Sequence, residues 1–127
     1  MSIRTSKLVG AGIAPMQAAV IAGGQDIQPA VTATGTTQSN AALAYADTVL
    51  VAVAAASTGV VMSGPAYGPG DEQFFQNAGA NAVLIYPPVG AQINALGVNA
   101  GFSLASNASI IVKCFGVVGG VTQFYTK

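Results

Sequence analysis

The chain has 127 residues, 52% of them hydrophobic, with four Lys or Arg against four Asp or Glu and no His. Its charged fraction of 6% falls far below the roughly 25% of an ordinary soluble domain, so much of its surface is expected to lie against other protein. No basic residue stands between Lys7 and Lys113, which leaves nothing to build a phosphate-binding face and excludes nucleic acid as a partner.

The length suits one domain with a core of its own. Cys114 is the single cysteine, so no intrachain disulfide forms, and no Cys/His cluster offers a zinc site. Residues 1–25 read as an arm, extended or holding a short helix over Met16–Ala22 with Pro15 at its start. Arg4 and Lys7 followed by an apolar run resemble the regions of a signal peptide. Glycines and Pro15 break that run, and it is too short to cross a bilayer. We expect a retained arm that docks on a neighbour, with Arg4, Lys7, Leu8, Val9, Ile13 and Met16 as its partner contacts.

From residue 26 to 127 the signals are those of short strands. Ile27–Thr34 carries Pro29, which marks an edge or irregular strand. Residues 34–40 form a polar loop. Thr48–Ala54 alternates Val49, Val51 and Val53 against Leu50, Ala52 and Ala54. Its β-branched content favours a strand over the competing alanine-rich helix from Ala41 to Ala56. Strands follow at Val60–Ser63, Asp71–Asn77, Ala82–Tyr86, Gly101–Leu104, Ser109–Phe115 and Val121–Thr126, separated by Gly-, Pro- and Asn-rich turns. In Ser109–Phe115, Ile110, Val112 and Cys114 face one way and Ile111, Lys113 and Phe115 the other. One face lines a core and the other is free for a partner subunit. The expected fold is all-β, a small jelly-roll-like β-sandwich over residues 26–127 behind the N-terminal arm.

Chemistry finds little to work with. Asp71 and Glu72 are the only adjacent carboxylates, and neighbours in a strand point to opposite faces, so they suit a solvated strand entrance rather than acid/base work. Asp26 and Asp47 read as turn residues. Gly10-Ala11-Gly12 begins like a dinucleotide fingerprint but lacks the third glycine, the preceding strand and the βαβ unit. The serines have no His as base and no nucleophile elbow, and Lys113 sits in a strand. Cys114 alternates with Ile110 and Val112 as a small buried hydrophobe. Asn107-Ala108-Ser109 matches a glycosylation sequon in a polar turn. No catalytic residue, cofactor or metal is expected. The aromatic residues read as core or interface anchors, or as a shallow glycan platform if exposed.

Gly70-Asp71-Glu72, Asn77-Ala78-Gly79-Ala80-Asn81, Leu84-Ile85-Tyr86-Pro87-Pro88 and Val89 through Leu96 together resemble a module of tailed-bacteriophage virion proteins. The resemblance covers about residues 27–127, taking in Thr32–Gln38, Ala41–Tyr45 and the closing Thr122-Gln123-Phe124-Tyr125. It departs from the family in carrying Phe124-Tyr125 where a Trp is usual, and the arm is no part of the module. The resemblance implies a β-rich homotrimer without enzymatic activity on the virion surface, most naturally a capsid decoration (cement) protein bridging major capsid subunits. A head or tail fibre, spike or neck protein, or a host-glycan-binding adsorption module, are the alternatives it leaves open. Gly79 is expected to supply a positive φ in a hairpin, and Pro87-Pro88 to blunt an exposed edge.

Overall fold

The computed structural model describes residues 27–63 and 67–127. Among these residues ten strands run in chain order: β1 (Ile27–Thr32), β2 (Ala42–Ala44), β3 (Thr48–Val53), β4 (Gly59–Met62), β5 (Glu72–Asn77), β6 (Val83–Tyr86), β7 (Gln92–Ile93), β8 (Phe102–Leu104), β9 (Ser109–Val118) and β10 (Val121–Thr126). One 3₁₀ turn, Gln38–Asn40, precedes β2. The alanine-rich helix over 41–56 does not form. Val49 and Val51 are fully buried on one side of β3, the period of a strand and not of a helix.

The strands form a six-stranded sheet of order β1-β3-β5-β9-β10-β7 and a four-stranded sheet of order β2-β4-β6-β8. From β1 to β6 the chain crosses to the other sheet at every connection, so β1, β3 and β5 lie parallel in one sheet and β2, β4 and β6 parallel in the other. Parallel neighbours need a crossover between them, and here each crossover is a strand of the opposite sheet. The result is a flattened coil. β8 and β9 then reverse direction, pairing antiparallel with β6 and β5, and β10 returns antiparallel to β9 and parallel to β7. The all-β expectation with two sheets over one core is met. The pairing is mixed, whereas a jelly roll is built from antiparallel strands, and residue alternation alone carries no information on strand direction.

One apolar cluster joins the sheets, with Val49, Val51, Phe75, Val112, Cys114 and Phe124 from the larger and Ala44, Val60, Met62, Val83, Ile85 and Leu104 from the smaller. Each large side chain buried there contributes about 1.5–3 kcal/mol. Tyr67 stands edge-on to Phe124 at 5.3 Å between ring centroids. All four residues of β4 are buried, because the outer face of the smaller sheet is covered too. Val61, Tyr86, Ala41 and Leu84 pack there as a second cluster, and the Tyr86 hydroxyl donates to the Thr36 carbonyl at 3.2 Å.

With so few charges, buried amides tie the corners of the coil. The Gln28 amide donates to the Leu43 carbonyl (3.1 Å), and its oxygen accepts from the N–H groups of Tyr45 and Ala46 (2.7 and 3.0 Å). Gln73 grips the same corner from the next turn of the coil, donating to the carbonyls of Ala44 and Ala46 (3.0 and 2.8 Å). Asn77, wholly buried, donates to the carbonyls of Asn81 and Leu104 and accepts from the Gly79 N–H. Among the described residues no buried side-chain nitrogen or oxygen lacks a partner.

Two turn expectations are corrected. Gly79 is not at positive φ and joins no hairpin, since β5 and β6 belong to different sheets. It is required by close approach, because a Cβ there would stand 2.6 Å from the Ala54 nitrogen. Pro87-Pro88 ends β6, but β6 is an interior strand, so no edge is protected by it. The true edges are blunted differently. β1 carries Pro29 and two register shifts, while β2, β7 and β8 have three residues or fewer.

Candidate partner-binding face

Arg4, Lys7, Leu8, Val9, Ile13 and Met16, the partner contacts read from the sequence, lie outside the described residues, as do the arm, its short helix and Asp26. Within the described residues the exposed Leu43, Tyr45, Val89, Leu96 and Val98 lie outside the six-stranded sheet, and one set of features able to meet a partner gathers on its outer face. Strand alternation puts them there. Val112 and Cys114 point into the core at 0% and 1% exposure, which turns Ile111, Lys113 and Phe115 outward as expected. Register then lines up one row across four strands, Ile27, Thr48, Phe74 and Ile111. A second row holds Glu72, Lys113 and Tyr125.

Five charged side chains are described, Asp47, Asp71, Glu72, Lys113 and Lys127, and all but Asp71 belong to this face. The Lys127 ammonium sits 2.6 Å from the Glu72 carboxylate and that of Lys113 3.9 Å from it. The hydrogen bond from Lys127 holds the Glu72 carboxyl below its ordinary value against the opposing effect of desolvation, with the positive charges of both lysines adding to it. These pairs are exposed and screened, so they orient the surface more than they stabilise it. Beside them a shallow depression of about 250 Å³ is lined by Asp47, Thr48, Glu72, Phe74 and Ile111.

Past Cys114, which exchanges backbone hydrogen bonds with Gly70 and Asp71, β9 outruns β5 and pairs only with β10. The hairpin turns at Gly119-Gly120, where φ is 61° and 81°, the left-handed pair that a two-residue turn of this kind demands. Phe115 and Tyr125 meet edge-to-face at 5.2 Å, and the Lys113 ammonium lies 5.7 Å from the Phe115 ring centre. The sequence reading ended this strand at Phe115. Val117, Val118 and the paired glycines were the signal for its continuation, and Gly116 masked it by resembling a breaker. No family model, no curated protein and no solved structure matches this chain.

The other residues weighed for chemistry are dispersed. The Asp71 carboxylate accepts from the Gly68 N–H at 2.7 Å, closing the turn into β5, while Glu72 belongs to the lysine cluster. Both are exposed, the strand entrance that was expected. Cys114 is buried in the core. Asn107 takes a turn conformation at φ 63°. Among the described residues no group of three or more His, Cys, Asp or Glu is placed to hold a metal ion. The face thus offers aromatic and aliphatic contact area, balanced charge and blunted edges, the properties of a docking surface.

Proposed function

We propose that this protein is a virion structural protein of a tailed bacteriophage, a capsid decoration protein that stabilises the head by bridging major capsid subunits and makes or breaks no bond. The observation that carries the reading is the outer sheet face and the hairpin that extends it, where Phe115, Val117, Val118 and Tyr125 remain exposed in a chain with only eight charged residues. Such surface calls for a protein cover. The resemblance of residues 27–127 to virion modules supplies the context. A homotrimer at the capsid surface covers neutral faces by symmetry. Repeated weak contacts to a lattice then add through effective concentration. Residues 1–25, with Arg4 and Lys7, serve as the arm that addresses the capsid. Blunted edges favour contact through side chains over strand addition.

The test is co-sedimentation of the purified protein with undecorated capsids, beside a variant lacking residues 2–25. Full-length protein is expected to pellet at a saturating stoichiometry commensurate with the lattice, and the truncated one to remain soluble and folded. Full binding by the truncated protein contradicts the role of the arm, and no binding by either contradicts decoration.

A further inference from the structure

We infer that the projecting β9–β10 hairpin and the adjoining outer face of the six-stranded sheet are covered by a second copy of this chain. Past Gly116, beyond the reach of β5 and β7, the hairpin is a two-stranded ribbon with Phe115 and Tyr125 at its base, and such a ribbon standing alone is marginal in water. Its side chains are nevertheless apolar and open. Phe115 is 58% exposed, Val117 67%, Val118 69% and Tyr125 45%. Exposure of both Val117 and Val118, successive residues of one strand, leaves apolar surface on both faces of the ribbon.

Area and charge choose the occupant. The four side chains offer roughly 400 Å², about half of what each partner gives to a standard interface. Phe74, Ile111 and the 64%-exposed Ile27 continue the same surface across the sheet. Its charges are two carboxylates, Asp47 and Glu72, and two ammoniums, Lys113 and Lys127. A face balanced in this way meets its own copy without net repulsion, whereas a strongly acidic or basic partner gains nothing from it. Phe115 and Tyr125, locked edge-to-face, lose little freedom on burial and serve as the anchors.

The inference rests on reading the protein as an assembly part, but not on the capsid. A chain that self-associates and ignores capsids fails only the decoration reading, and a monomer that decorates them fails this inference and the homotrimer but not decoration. The experiment is light scattering coupled to size-exclusion chromatography on the full-length chain. Phe115→Asp and the double variant Val117→Ser/Val118→Ser are compared with Val89→Asp, which changes an exposed residue outside the hairpin. Circular dichroism confirms that each variant folds. The wild type and Val89→Asp are expected to run as a multiple of the 12.5 kDa chain, and both hairpin variants as a single chain. A wild type that stays monomeric at its highest soluble concentration overturns the inference. So do folded hairpin variants that keep the wild-type mass.

Discussion

Replacing Asn77 by Ala removes the amide that ties two connections, β5–β6 and β8–β9, to the end of β5. Its Nδ2 donates to the Asn81 carbonyl at 2.9 Å and the Leu104 carbonyl at 3.0 Å, with that of Ala105 also near, and its Oδ1 accepts from the Gly79 N–H at 2.9 Å. No water reaches the side chain, which is 0% exposed. Each lost bond costs about 1 kcal/mol, and a buried group left unpaired costs about 1–3 kcal/mol. Gly79 and Leu104 are themselves buried, so a loss of roughly 3–5 kcal/mol is expected, a large part of the 5–15 kcal/mol typical of a domain. Urea denaturation followed by circular dichroism measures it, provided the slope is unchanged. Asn77→Asp sharpens the test. It retains the acceptor for Gly79 but sets a carboxylate against two carbonyl oxygens. Burial raises its folded pKa, so the variant gains stability as pH falls and the acid protonates. A loss below about 1 kcal/mol for Asn77→Ala, at constant slope, refutes the tie.

Gly79→Ala drives a methyl group to 2.6 Å from the Ala54 nitrogen and 2.7 Å from its Cβ; a lowered thermal midpoint, equivalent to about 1–3 kcal/mol, is expected, and an unchanged midpoint contradicts the close approach. Glu72 has its folded pKa depressed below the ordinary 4.5, so its contribution is present above that value and lost as pH falls through the folded one. Urea midpoints of wild type and Glu72→Gln are therefore expected to differ at neutral pH and converge in acid, and a constant difference removes the role of Lys127. The Cys114 thiol, 1% exposed, is expected to react with a thiol reagent only as fast as the core opens; rapid labelling of the native protein contradicts its placement.

The strands were legible where apolar residues alternate or run together. Val49 and Val51 on β3 and the Val83–Tyr86 run on β6 were read as strands without a buried side, while Cys114, alternating with Val112 on β9, was read as buried and is. Pairing was not legible, because a strand's side chains carry its faces and not its direction. The coil of parallel strands therefore became visible only in the register of β1 with β3 and β3 with β5. β7 was missed for want of length, having two residues, and the three-residue β2 was read only through the resemblance that takes in Ala41–Tyr45 as an opening strand. The amide ties of Gln28, Gln73 and Asn77 were hidden for another reason. A polar residue in an apolar run reads as outward-facing until the carbonyls it meets, up to 29 positions away, are known. At the candidate face, the outward set Ile111, Lys113 and Phe115 was legible. Its union with Asp47, Glu72 and Lys127 required the register of three strands and the chain's last residue.

The most direct measurement is electron cryomicroscopy of the phage particle at a resolution that traces strands. The proposal predicts two-sheeted β density on the outer capsid surface, repeated with the symmetry of the shell. Its β9–β10 hairpin lies against another copy, and residues 1–25 run onto the capsid subunits beneath. Density for this chain only at the portal, neck or tail, or its absence from the particle, contradicts a decoration role.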